Sequence, residues 1–198
     1  MNNKRTVFLS SGHSNFRRGD GTYIEPGAVS NGCIEGDLTV RYVSKLSNKL
    51  KSMGINVVTD DPSNSLKHTL AFFRNKTTPN CIVIDVHWNS SSNPKSTGTE
   101  TLIPAKPTAF EVLLAKDISD DTSQCLNIPL RGNYQGHKGV KTELESHHGR
   151  LGWMTLTGEN ILIEMCFISN VNDMKSYFDN EDKLIDAHAQ TIFKYSLQ

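Results

Sequence analysis

The chain has 198 residues, which is enough for one well-packed domain. Its 21 lysines and arginines balance 21 aspartates and glutamates, whereas a nucleic-acid-binding domain normally carries a clustered basic excess. No apolar run approaches the roughly 20 residues that cross a bilayer, and the apolar patch after Lys4 and Arg5 is too short for a signal peptide. We therefore expect a globular protein with no nucleic-acid partner, no membrane-inserted segment and no export signal.

The first part of the chain alternates between strand and helix patterns. Thr6–Ser10 is a short run typical of a strand. Ile34–Met53 places apolar residues every three or four positions and is followed by Gly54, which predicts a helix and its end. Ile55–Thr59 then predicts a second strand, and Ser65–Lys76 predicts a second helix.

The same alternation continues to the end of the chain. Cys81–His87 is apolar and β-branched enough for a central strand, and Gly98–Ile103 alternates as a fourth strand. Pro107–Leu126 predicts a helix, Asn160–Phe167 a buried strand, and Asp182–Leu197 an amphipathic helix. This order predicts a single α/β domain over residues 1–198, with a mostly parallel or mixed central sheet and helices on both faces.

Four polar residues stand where this fold would bring them together. His13 follows the first strand, His87 ends the third, and Glu164 lies in the last strand. Glu35 opens the first long helix. Functional groups gather at strand ends in such folds. Two histidines and a carboxylate are a common zinc set that leaves a position for water, and a further carboxylate would act as a proton shuttle.

Each of these residues also has a structural interpretation. A histidine at a strand end is often a hydrogen-bonded surface or core residue, and Glu35 would complement the positive end of a helix dipole. Glu164 is harder to explain in this way, because an acid within an apolar strand is costly to bury unless it is paired or bound to a metal. The residues alone leave both interpretations open.

Several motifs follow one another in order along the chain. They are Phe8-Leu9-Ser10-Ser11-Gly12-His13, Glu25-Pro26-Gly27-Ala28, Glu35, Leu66 with Arg74-Asn75, Val86-His87-Trp88-Asn89, and Ile161–Asn170 with Glu164. Taken together, the set resembles the zinc-dependent N-acetylmuramoyl-L-alanine amidases of family 3, which include bacterial cell-wall amidases and phage endolysins. The resemblance runs from Val7 to about Ile192.

The resemblance implies a ligand set and a reaction. His13, Glu35 and His87 would bind one Zn²⁺ per chain, and Glu164 would be the catalytic glutamate. The substrate would be peptidoglycan, cut at the amide bond between N-acetylmuramic acid and L-alanine. Three further residues are expected near the cleft as substrate contacts, namely Asn89, Trp88 and Arg150, the last within His147-His148-Gly149-Arg150, a segment that would also fit a solvated loop.

The chain departs from the family pattern at several positions. Ser14-Asn15 stands in place of a frequent Gly-Gly pair, and Phe16–Gly21 lengthens the segment that follows. Trp88 replaces the usual alanine, and Cys166 replaces the usual glycine. None of these changes removes a metal ligand. The changes at Trp88 and Arg17-Arg18 are expected near the cleft, so they bear on substrate preference rather than on activity. The four scattered cysteines are expected to be free thiols of a chain made in a reducing compartment.

Two other functions stay open at this point. One is a zinc-dependent peptidase or deacylase acting on a different amide, and the other is a wall-binding module without turnover. A bare catalytic domain of this length resembles a phage endolysin, which would accumulate in the host cytoplasm before it reaches the wall. A bacterial enzyme cut down to its catalytic domain would look the same.

Overall fold

The computed structural model describes residues 4–147 and 149–198. The strands in these ranges are β1 (Thr6–Ser10), β2 (Val29–Ser30), β3 (Cys33–Ile34), β4 (Val57–Thr59), β5 (Cys81–Asn89), β6 (Glu100–Ile103), β7 (Asn133–Tyr134), β8 (His137–Lys138), β9 (Val140–Thr142) and β10 (Glu159–Phe167). The α-helices are α1 (Glu35–Ser52), α2 (Leu66–Arg74), α3 (Ala109–Leu126) and α4 (Val171–Ser196). Short 3-10 helices span Glu143–Glu145 and Gly152–Thr155.

Six strands form one mixed sheet in the order β4-β1-β5-β10-β6-β9. The strands β4, β1, β5 and β10 run parallel, β6 is antiparallel to β10, and β9 is parallel to β6. The β5 strand has neighbours on both sides, which explains why its sequence is an almost continuous apolar run. The predicted α/β fold with a mixed sheet is confirmed, and the carboxyl ends of four strands meet at one edge.

Helices cover both faces of the sheet, but unevenly. The larger core packs α1, α3 and α4 against one face. On the other face, Phe73 of α2 and Trp153 of the second 3-10 helix cover the amino-terminal half of the strands. Farther along the strands of this second face, polar residues such as Asp85 and Glu164 replace the apolar ones. This polar half is where a site can form.

Several elements differ from the sequence prediction. The last helix begins at Val171 rather than at Asp182, because the Asn170 side chain caps it by accepting the backbone N–H groups of Asn172 and Asp173. The three-residue strand β9 escapes prediction because so short an edge strand has no readable alternation. The hairpins β2–β3 and β7–β8, whose strands have two residues each, escape prediction for the same reason.

The buried residue His188 is a structural part of the larger core. Its Nδ1 lies 2.6 Å from the Tyr42 hydroxyl, and its Nε2 lies 2.9 Å from the Thr122 hydroxyl. Burial lowers the pKa of His188 to about 4, so the ring is neutral at pH 7. The described helices include none that combines the length and the apolar character of a membrane span.

Candidate active site

Three residues from separate parts of the chain meet at the carboxyl edge of the sheet. They are His13 after β1, Glu35 at the first position of α1, and His87 on β5. One ligand atom from each lies within 4.8 Å of the others. The carboxylate of Glu35 lies between the two rings, with Oε2 3.5 Å from His13 Nε2 and Oε1 3.3 Å from His87 Nδ1. The structure therefore brings together the three residues that the sequence singled out as metal ligands.

The Glu35 carboxylate is held in place by the backbone. Its Oε2 accepts the N–H of Ala28 at 2.8 Å, and its Oε1 accepts the N–H of Trp88 at 2.9 Å. Burial by itself would raise the pKa of Glu35, but the rings of His87 and His13 and the Ala28 N–H outweigh it and lower that pKa. Glu35 is thus kept anionic, the state that binds a cation.

Two glycines allow this close packing. Gly12 has a φ of +61°, and a Cβ there would lie 2.5 Å from His87 Nε2. Gly27 has a φ of +68°, and a Cβ there would lie 2.5 Å from Glu35 Oε2. A side chain at either position would collide with the cluster and would also strain the backbone. The Gly-His and Pro-Gly-Ala motifs therefore have a steric reason.

Asp85 orients the His87 ring, and the sequence reasoning does not single it out. It stands two residues before His87 on the same strand face, and its Oδ2 lies 3.1 Å from His87 Nε2. This contact leaves Nδ1 of the ring facing Glu35. Burial would lower the pKa of His87, but the carboxylates of Asp85 and Glu35 outweigh it and raise that pKa well above its usual range. The alternation of Asp85 with His87 was the signal available in the sequence.

The three side chains fit a zinc ion by spacing and by chemistry. Zinc bonds of about 2.0–2.1 Å at a tetrahedral angle place neighbouring ligand atoms about 3.4 Å apart. The two nitrogen–oxygen separations here, which involve different oxygens of Glu35, are 3.5 Å and 3.3 Å, and one ligand atom from each residue lies within 4.8 Å of the others. Two imidazoles and one carboxylate also form a donor set of catalytic zinc sites. A carboxylate on the outer nitrogen of a ligating histidine, as Asp85 provides, is the usual supporting contact.

Glu164 lies next to this cluster on the neighbouring strand. It pairs with His87 in the β5–β10 register, and its Oε2 is shielded from solvent without a hydrogen-bond partner among the described residues. Burial raises the pKa of Glu164 to about 8, with the carboxylates of Glu35 and Glu100 adding to the shift and His87 opposing it. A carboxyl group whose pKa lies near the working pH can both take and give a proton.

The family model for N-acetylmuramoyl-L-alanine amidase matches residues 7–194. The chain belongs to this family. A search of curated protein sequences gives no significant match.

Solved amidase structures share the fold over nearly their whole length. An N-acetylmuramoyl-L-alanine amidase from Clostridium difficile 630 has 23% identity and a TM-score of 0.75, covering 98% of this chain and 97% of that one. The amidase Ami1 from Mycobacterium smegmatis has 18% identity and a TM-score of 0.72, covering 97% and 96%. The catalytic domain of the CD27L endolysin, which targets Clostridia difficile, has 18% identity and a TM-score of 0.64, covering 98% and 97%.

The three residues expected as substrate contacts of this amidase lie in different surroundings. Asn89 is near the site and donates from Nδ2 to Glu100 Oε1 at 3.1 Å. The expectation for Trp88 is wrong, because its side chain is 2% exposed and packs edge-on against Tyr177 in the larger core. Neighbouring residues of a strand point to opposite faces, so His87 on the site face puts Trp88 on the core face.

Arg150 is exposed, and its role as a substrate contact remains a prediction. His148, in the same segment, lies outside the described residues. All four cysteines are free thiols, and only Cys33 is not fully buried.

Proposed function

We propose that this amidase is zinc-dependent and hydrolyses the amide between the lactyl group of N-acetylmuramic acid and L-alanine in peptidoglycan. The observation that carries the proposal is the cluster of His13, Glu35 and His87 with Glu164 beside it on the next strand. Family membership supports the substrate, and the donor set supports one zinc per chain.

The chemistry divides between the metal and the chain. His13, Glu35 and His87 would hold a zinc ion, which would supply a lowered pKa for a bound water and polarisation of the scissile carbonyl. Asp85 holds His87 with one nitrogen toward the cluster. Glu164 takes the proton of the attacking water and passes it to the departing alanine nitrogen. Its partly buried position and its raised pKa suit it to hold that proton between the two events.

The decisive test combines metal content with product analysis. Purified protein should contain about one zinc per chain, and digested peptidoglycan should show new N-terminal alanine by mass spectrometry. His13→Ala and His87→Ala should each lose zinc and alanine release, because each removes one of three protein ligands. His137→Ala is the matched control, since that histidine lies in the β7–β8 hairpin outside the cluster.

Other outcomes would point elsewhere. Retention of one tight zinc in the His13→Ala, His87→Ala double variant would show that the ligands are assigned wrongly. New reducing sugar ends would indicate a glycosidase, and cleavage only within the peptide would indicate a peptidase. Bound zinc with wall binding but without turnover would indicate a binding module.

We further propose that the chain serves as a phage endolysin, held in the host cytoplasm until the membrane is opened. Support comes from the shared fold with the CD27L endolysin catalytic domain. Bacteria expressing the chain should lyse only after the membrane is permeabilised from outside. Lysis without permeabilisation, or no lysis with it, would contradict this role.

A further inference from the structure

A cavity of about 520 Å³ opens beside the site on the far side of Glu164. Its lining includes Lys95, Thr97, Arg131, Gly132 and Lys141. We call this space the basic cavity, because three of its lining side chains are cations and none is a carboxylate.

The cations of the basic cavity are only partly neutralised. One carboxylate, Glu100, pairs with Lys141 Nζ at 2.6 Å and with Arg131 Nε at 3.3 Å. Lys95 has no carboxylate partner within 4.0 Å among the described residues. Asp173 lies behind Thr97, but it is 2% exposed and already accepts the Thr97 hydroxyl together with backbone N–H groups. The three cations therefore outnumber the two carboxylates near them.

The cations also keep hydrogen-bond donors free. Arg131 uses Nε for Glu100 and Nη1 for the Thr97 carbonyl at 3.2 Å, which leaves part of its five N–H donors unused. Its guanidinium lies over the Phe167 ring, 4.8 Å from the ring centre. Lys141 is 21% exposed and spends one of three donors on Glu100. Preorganised, partly free donors of this kind suit a carboxylate ligand.

The sheet register fixes where this cavity lies relative to the chemistry. Across the site face, His87 on β5 stands beside Glu164 on β10, and Glu164 stands opposite Glu100 on β6. Lys141 on β9 pairs with Leu102, which shares the face of Glu100. Neighbouring strands are about 4.8 Å apart, so Lys141 lies roughly 10 Å beyond Glu164, on the side away from His87.

This order gives the bound substrate a direction. In the proposed reaction Glu164 protonates the leaving nitrogen, so that nitrogen lies on the Glu164 side of the ligand cluster. The fragment that carries the nitrogen is the stem peptide, and a course away from the ligand cluster takes it over β6 toward β9. An extended peptide advances about 3.3–3.6 Å per residue, so roughly 10 Å corresponds to two or three residues.

We propose that the basic cavity binds a carboxylate of the stem peptide, two or three residues beyond the scissile amide. The proposal rests on the proposed amidase function and adds a substrate preference to it. The enzyme then favours stem peptides whose second or third residue carries a free carboxylate over stem peptides in which that group is amidated.

The test compares two muramoyl-peptides that differ only in this carboxylate, one free and one amidated. The parent enzyme should cleave the free acid with a kcat/KM at least tenfold higher, mainly through KM. Arg131→Gln and Lys95→Met should each reduce that preference severalfold, measured as the ratio of kcat/KM for the two peptides. Lys95→Met leaves the Glu100 ion pairs intact, so it remains informative if Arg131→Gln is unstable. Lys51→Met, at the end of α1, is the matched control for loss of one positive charge.

The outcomes separate this proposal from the one on which it rests. Equal cleavage of both peptides by the parent enzyme overturns the carboxylate subsite and leaves the amidase function intact. A preference that Lys51→Met reduces as much as Lys95→Met does also overturns it, because general charge attraction would then suffice. Failure to release alanine from either peptide overturns both proposals.

Discussion

Replacing Glu164 by glutamine separates a catalytic carboxyl group from a structural one. The substitution keeps the volume and the ability to hydrogen-bond but removes the ionisable carboxyl group. The three proposed zinc ligands are untouched, so zinc should stay bound. Alanine release should fall by about 10²–10⁴-fold, which is the usual contribution of a positioned acid–base group.

The structure also predicts the sign of the stability change in metal-free protein. The pKa of Glu164 rises from 4.5 to about 8 on folding. A carboxyl group whose pKa is raised in the folded state contributes its full stability to that state below pH 4.5. The contribution is lost as the pH rises toward 8. At pH 7 this loss amounts to at most about 3 kcal/mol, and partial contact of the side chain with solvent reduces it. Glu164→Gln lacks this loss, so the metal-free variant should be as stable as the parent or more stable.

Three measurements on one preparation decide whether Glu164 is catalytic or structural. They are the unfolding free energy without metal, the zinc content and the rate of alanine release. The purely structural alternative is that Glu164 pairs with a buried cation. Removing its charge would then cost about 3–5 kcal/mol and leave the folded fraction active. A variant that is destabilised yet fully active per folded molecule would refute the assignment.

Three further predictions concern His188, Asp85 and the cysteines. Burial lowers the pKa of His188 from 6.5 to about 4, so folding stability is lost as the pH falls below 6.5. In denaturant titrations between pH 7 and pH 5, the free energy of unfolding of the parent should fall by about 2 kcal/mol more than that of His188→Gln. Asp85→Asn should weaken zinc affinity about 10–100-fold in chelator competition, and an unchanged affinity would refute the orienting contact with His87. Cys33→Ser should leave turnover within a few-fold, since no thiol takes part, whereas replacing buried Cys81 should mainly lower the melting temperature.

Local patterns explain why much of the fold could be predicted from the sequence. The apolar run of β5 and the helical spacing of α1 are each visible within a short window. The strand β1 ends close to His13, and β5 ends close to His87. The start of α4 could not be predicted from periodicity, because Asn170 sets it through a side-chain cap rather than through an apolar residue.

The basic cavity could not be predicted because no local pattern contains it. Glu100, Arg131 and Lys141 belong to three separate segments. The pairing of β6 with β9 places Lys141, and the bridge between Thr99 and Leu130 places Arg131. The error at Trp88 has a different origin. Proximity in sequence to His87 suggested proximity to the substrate, whereas the two-residue period of a strand sends adjacent side chains to opposite faces.

The placement of the three ligand residues has a consequence for how the site assembles. Glu35 and His87 belong to elements packed into the larger core, so they are in position as soon as the sheet and α1 have formed. His13 instead lies in the segment between β1 and β2, outside any strand or helix, and its carbonyl accepts the Thr39 hydroxyl of α1 at 3.5 Å. Metal capture would then tighten this one segment rather than the sheet, and the entropy cost would be small. Chelation should therefore speed amide hydrogen exchange in residues 11–28 and leave β5 protected; equal deprotection of both would show that the whole site forms and dissolves as a unit.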